Sequence, residues 1–219
     1  MTGQHDVPEY AARIDGEPVR RERVDAFLAH EPADTRRPVP ALAKDRLARA
    51  ERQRRRWATQ VVVIDELARR TCAERGWAIQ ATVSPEAMLT VAEADVADLG
   101  SIVAAALSHS PAARLLLTTL ESEQHIPEEA VRDYYERNRD RYLTPEALRH
   151  GVDPYGTSAT PADFLPYERA REGIEHDLRQ AAARYAFFAW LDQARTGVEY
   201  APGHEHPGDP SHPDHEHRH

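Results

Sequence analysis

Apolar residues recur every three or four positions along much of this chain, which is the period of an amphipathic α-helix. One long helix is predicted from about Pro38 or Ala41 to Ala73, with an apolar stripe formed by Trp57, Val61, Ile64, Ala68 and Cys72. Another is predicted from Asp163 to Arg195. Its stripe is formed by Ile174, Leu178, Ala181, Tyr185 and Phe188, widened near the end by Phe187, Trp190 and Leu191. Each stripe predicts a face that packs against other elements.

Shorter elements are predicted around these two helices. Asp15-Gly16 is typical of a tight hairpin turn, because both central residues of such a turn need a positive φ, and a helix from about Arg21 to His30 follows it. Helices are also predicted at about 85–90, 93–108 and 111–123, and one more begins after Ile126 and ends near Arg141. The residues between are rich in turn formers.

These elements predict a mainly α-helical fold with a small N-terminal hairpin. The chain divides into a disordered N-terminus (1–10), a helical domain (11–147), a short connector (148–162), a C-terminal helix that packs back on the helical domain (163–200) and a flexible His-rich tail (201–219). The connector is assigned from its many Gly, Pro, Ser and Thr residues.

Composition and charge narrow the class of protein. The net charge of -9 argues against nucleic acid as a partner, since a phosphate binder needs a cationic face. A soluble, cytoplasmic protein is predicted from three observations. The chain has a single cysteine, it lacks a secretory signal pattern, and it has no apolar run long enough for a membrane span. A basic segment from Lys44 to Arg56 is interpreted as a wet helix face; the alternative is a docking strip for an acidic partner or RNA.

Histidines are concentrated in the tail. Neutral imidazole is a good ligand for Ni, Zn and Cu ions, so the tail is a candidate metal-binding segment. Its candidate ligands are His204, His206, His212, His215, His217 and His219. The alternative is a solvated, disordered terminus with no bound metal. No cofactor is required by any other motif in the chain.

Three segments carry a resemblance to a known family. ARIDGEPVRRERVDAFL (12–28) resembles the opening of the SurA/PrsA-type parvulin chaperones. IPEEAVRDYYERNRDRYLTP (126–145) is similar to the segment that leads from their helical chaperone domain into the prolyl isomerase domain. FLPYERAREGIEHDLRQAAARYAFFAWLDQ (164–193) resembles the helix that returns from that domain. The resemblance implies a SurA N-terminal-like helical domain completed by a long C-terminal helix.

The isomerase itself is the part that does not match. Only the short connector lies between the two flanking helices, which leaves no room for a parvulin domain, and no catalytic residue is carried over. A cytoplasmic location also favours the NifM-like accessory factors within the family, which help to mature a metalloenzyme.

The first functional hypothesis is therefore an ATP-independent folding or assembly chaperone without isomerase activity. It would bind an unfolded or partly assembled client, such as a metalloenzyme subunit. The residues expected to form either its core or its client contacts are Phe27, Leu28, Trp57, Tyr134, Tyr135, Phe187, Phe188 and Trp190. The alternatives are a metallochaperone acting through the tail and, as an enzyme, a divergent peptidyl-prolyl isomerase. The aromatic C-terminal helix could equally support a homodimer.

Overall fold

The computed structural model describes residues 8–30, 44–79 and 99–206. They fall into two compact units: the first comprises the chain up to Leu116 together with the chain from Ala189 onward, and the second comprises Leu117–Phe188. No helix in the described part of the chain is long and apolar enough to cross a membrane.

The fold is mainly helical, as predicted, with a small antiparallel sheet. The strands are β1 (Tyr10–Ile14), β2 (Glu17–Arg20) and β3 (Val198–Tyr200). The helices are α1 (Arg21–His30), α2 (Lys44–Glu74), α3 (Ser101–His109), α4 (Pro111–Glu123), α5 (Glu128–Arg137), α6 (Pro145–Arg149) and α7 (Tyr167–Ala194). Short 3-10 turns occupy Arg139–Tyr142, Pro161–Asp163 and Arg195–Gly197. The predicted helix at 85–90, the first part of that at 93–108 and the predicted start of α2 lie outside the described residues.

The predicted hairpin is confirmed, and it gains a third strand. Asp15 and Gly16 have φ values of 52° and 86°, the positive values that the turn requires. β1 pairs with β2 on one side and with β3 on the other, antiparallel in both cases. β3 was not predicted, because three residues are too few to show an alternating pattern.

α2 is the centre of the first unit. It packs against α1, α3 and β1, and its predicted stripe is confirmed: Val61, Ile64, Ala68 and Cys72 are buried, while Trp57 is partly exposed. The helix also buries residues outside the stripe because neighbours lie on more than one of its sides.

The second unit has its own apolar cluster. Val131 and Tyr135 of α5 pack with Ala170 and Ile174 of α7, and the Tyr135 hydroxyl donates to the Leu165 carbonyl at 2.6 Å. α5 and α7 are thereby held together next to the ends of the connector.

The connector is more ordered than its composition indicated. Leu143 and Phe164 form an antiparallel bridge, and Thr144 caps α6, whose end extends into the connector. The Tyr155 hydroxyl donates to the Arg137 carbonyl at 2.7 Å. The segment is a closed turn within the second unit.

α7 buries different faces along its length. At 3.6 residues per turn, Phe187 lies about 140° around the helix from Ile174, yet both are buried. Tyr185 lies within about 20° of Ile174 but is 79% exposed, and Ala181 is exposed too. The predicted single buried stripe through Ala181 and Tyr185 is therefore wrong. The side of the helix that is buried near Ile174 is not the side that is buried near Phe187.

Candidate functional site

An exposed aromatic face on α7 is the first candidate. Ala181, Tyr185 and Phe188 continue the face that carries Ile174 and Leu178 in the packed cluster. Phe188 is partly exposed, with its ring edge-on to Phe187 at 6.5 Å. This face begins where the cluster ends and presents apolar groups to solvent, so it offers a contact surface for another apolar group.

Half of the predicted core or client residues belong to the first unit. The Phe27 ring lies 5.7 Å from that of Trp57 and 4.8 Å from that of His109, measured between centroids. Trp190 donates its indole N–H to the Thr71 hydroxyl at 3.1 Å. Leu28 and these aromatic residues are partly exposed. The ring contacts and the hydrogen bond show that Phe27, Trp57 and Trp190 support the fold.

The other four predicted core or client residues lie in the second unit, where two of them are buried and two are partly exposed. Phe187 and Tyr135 are buried, at 1% and 8% exposure, and do not face solvent in the folded protein. Tyr134 is partly exposed, and its hydroxyl accepts from Arg141 at 2.5 Å. Phe188 remains the predicted residue that shares a face with the exposed Tyr185.

A buried polar cluster lies where the C-terminal segment crosses α2. Residues 198–206, here called the C-terminal strap, begin as β3 and extend the pairing when the Ala201 N–H donates to the Ala11 carbonyl at 3.0 Å. The Tyr200 hydroxyl donates to Gln60 Oε1 at 2.8 Å. Arg56, only 3% exposed, pairs with Glu205 across 3.5 Å. The strap is thus joined to α2 through polar side chains.

His204 is the most buried polar residue of the strap. It is 4% exposed, and its Nδ1 lies 2.8 Å from Thr59 Oγ1. The Thr59 hydroxyl has one proton, which it donates to the Arg55 carbonyl at 2.9 Å. Since that carbonyl can only accept, the ring must donate from Nδ1 to Thr59. The contact therefore requires a proton on Nδ1.

The surroundings of His204 disfavour its charged form. Burial of the ring lowers its pKa, and the positive charges of Arg21 and Arg55 lower it further, to about 4. The carboxylates of Glu205 and Asp25 act in the opposite direction but are the smaller influence. The imidazole is neutral at pH 7 because protonating it would place a charge in a covered site beside two guanidinium groups.

These findings bear on three expectations. The flexible tail was predicted from Ala201, but Ala201 and His204 are both buried. His204 was a candidate metal ligand; its Nδ1 is hydrogen-bonded to Thr59 within the fold, and its role as a ligand stays a prediction. The basic segment was expected to be wet: Arg46 and Arg52 are exposed, whereas Arg56 is buried. Sequence composition pointed to solvent in each case, while the contacts are made with residues far away in the chain.

The other candidate ligands are placed only in part. His206 is exposed, whereas His212, His215, His217 and His219 lie outside the described residues. Among the residues that the structure describes, no group of three His, Cys, Asp or Glu side chains is arranged to hold a metal ion.

Comparison of the chain with protein-family models, with curated proteins and with solved structures gave no match.

The sequence signal for the strap was weak. Val198 and Tyr200 are residue types that favour strands, but three residues are too few to show an alternating pattern.

Proposed function

We propose that this protein is a cytoplasmic, ATP-independent folding or assembly factor of the SurA/NifM-like type, without isomerase activity. The observation that carries the proposal is the exposed face of α7, where Tyr185 is 79% exposed beside Ala181 and the partly exposed Phe188. A contiguous apolar face on a helix of a folded protein is typical of a polypeptide-binding surface.

The chemistry of such a face suits a non-native client. Burial of an apolar side chain is non-directional and contributes about 1.5–3 kcal/mol for a large residue, so a client needs exposed apolar groups and no specific sequence. Release requires no nucleotide, because a few such contacts give a weak, reversible complex. The closed turn at 148–162 supports the absence of the isomerase domain from that part of the chain.

Suppression of client aggregation tests this proposal. The wild-type protein is expected to reduce light scattering from a chemically unfolded model protein, and Tyr185→Ser is expected to weaken that effect. Leu148→Ser is the matched control, since Leu148 is 59% exposed but lies on α6. A Tyr185→Ser protein as effective as wild type would contradict the role of the α7 face.

A metal-delivery role is the second candidate, and the composition of the chain after the strap favours it. Four histidines lie within 207–219 beside carboxylates, while His206 is exposed at the end of the strap. Such a segment would exchange Ni, Zn or Cu ions with a client, and its affinity would fall as the imidazoles protonate. Titration calorimetry of each ion into the full chain and into a chain that ends after Pro207 tests it. Equal binding by both would exclude the segment as the metal site.

A further inference from the structure

The C-terminal strap is a short extended segment seated in a site formed by other parts of the first unit. Its strand, β3, has three residues and pairs with β1 alone. Two backbone hydrogen bonds extend the β1–β3 pairing at its ends. The Asp15 N–H donates to the Gly197 carbonyl at 2.9 Å, and the Ala201 N–H donates to the Ala11 carbonyl at 3.0 Å. The chain itself thus demonstrates that the edge of β1 accepts an antiparallel segment.

In addition to this edge and to the Arg56–Glu205 ion pair, two hydrogen-bonding side-chain subsites recognise the strap. One is the amide oxygen of Gln60, which accepts a hydrogen bond from the hydroxyl of Tyr200. The other is the hydroxyl of Thr59, which accepts Nδ1–H of His204. Gln60 and Thr59 are adjacent on α2, and their two ligands are four residues apart in the strap. Main-chain pairing provides affinity in such a site, and the subsites provide selectivity.

Two buried side-chain donors of α2 near the strap also lack a hydrogen-bond partner. Gln60 is fully buried, and its Nε2 has no hydrogen-bond partner among the described residues; the same is true of the buried Nε of Arg55. Buried donors without acceptors destabilise the arrangement that covers them, and they regain water when the cover leaves. Ala201 is the one buried apolar residue of the described strap, while Val198 and Tyr200 are partly exposed.

From this arrangement we propose that the strap is a releasable self-ligand, and that the site beneath it binds an extended segment of another polypeptide by strand addition to β1. The favoured segment carries a tyrosine and, four residues later, a histidine that donates from Nδ1. The site lies on β1 and α2, whereas the proposed client face lies on α7, so a test of one does not depend on the other.

Competition between the strap and a peptide of the same sequence tests this directly. The peptide is GVEYAPGHEH, residues 197–206, with a fluorescent label, and binding is followed by anisotropy. The receptors are the full-length wild type and a full-length Tyr200→Ala/His204→Ala variant, which keeps Thr59 and Gln60 but loosens its own strap. The apparent Kd is the intrinsic value divided by the open fraction. The variant is therefore expected to bind the peptide roughly tenfold to a hundredfold more tightly than wild type.

Two controls separate this site from nonspecific binding. A peptide with alanine at both subsite positions is expected to lose most of its affinity, and Thr59→Val added to the variant is expected to weaken binding of the original peptide. Equal binding to wild type and variant, or indifference to Thr59→Val, would overturn the proposal. A dimer of the wild-type protein by light scattering, dissociated by the peptide, would show that the occupant is the strap of a second copy and not a different polypeptide, and would overturn the proposal as well.

Hydrogen exchange on the wild-type chain covers the case in which the variant does not fold. Amides of residues 199–201 are expected to exchange faster than those in the middle of α2, through an opening that leaves the rest of the unit folded. Exchange of both sets only at the rate of global unfolding would rule out a releasable strap.

Discussion

Acidification is predicted to destabilise the first unit through His204. Folding lowers the pKa of this imidazole to about 4, from 6.5 in its unperturbed state. The unfolded chain therefore binds the proton more tightly than the folded chain does. The stabilising contribution is fully present above pH 6.5, and it is lost progressively as the pH falls from 6.5 toward 4.

The size of the effect follows from these two values. At pH 5 the unfolded imidazole is almost fully protonated, while the folded one is mostly neutral. The difference in proton binding amounts to about 2 kcal/mol of lost unfolding free energy at that pH. A loss of this size is large compared with the total stability of about 5–15 kcal/mol that is usual for a domain.

Tryptophan fluorescence isolates this effect. The three tryptophans, Trp57, Trp77 and Trp190, all lie in the first unit, so their emission during urea unfolding reports on that unit. Unfolding free energies are compared between wild type and His204→Asn at pH 8, 6.5 and 5. Asparagine keeps an N–H near Thr59 but does not titrate, so the variant should lose about 2 kcal/mol less than wild type between pH 8 and 5.

The reasoning would be refuted by parallel pH profiles for the two proteins. A difference below about 0.5 kcal/mol, which is the scale of an ordinary surface substitution, would mean that His204 is not held neutral by its surroundings. Direct observation of the His204 ring proton by NMR during the titration would identify the group responsible.

Three further outcomes are expected from the packing. Phe187→Ala should cost about 3–5 kcal/mol of unfolding free energy, while Tyr185→Ala, two residues before it, should change stability by less than about 0.5 kcal/mol; thermal denaturation distinguishes them. Tyr200→Phe should cost about 1–2 kcal/mol in the fluorescence assay, because the Gln60 carbonyl loses its buried donor. Gly16→Ala should cost about 1–2 kcal/mol, since alanine must adopt the positive φ of the hairpin turn.

The elements that the sequence predicted correctly are those that depend on residues close together in the chain. The hairpin follows from two adjacent residues that tolerate positive φ, and α2 follows from an apolar period repeated through Val61, Ile64 and Ala68. Helix α7 was also predicted, yet the burial of Tyr185 was not predicted correctly. Periodicity identifies which residues share a face, but the side on which a helix is covered depends on elements elsewhere in the chain.

The strap illustrates the same limit more strongly. His204 stands in a run of histidines, prolines and carboxylates, and its composition indicated a solvated tail. Its partner, Thr59, is 145 residues earlier in the chain, so no local pattern could connect the two. A buried histidine and an exposed one are identical in sequence, and tertiary contacts alone separate His204 from the histidines that follow it.

Photo-crosslinking from position 185 is the most direct test of polypeptide binding by α7. A photoreactive residue is placed at 185 or at the control position 148, and the full-length protein is irradiated with a chemically unfolded model protein. Crosslinks to the client from position 185, and far fewer from 148, are the predicted result. Equal crosslinking from both positions, or none from 185, would contradict the assignment of the α7 face as the client-binding surface.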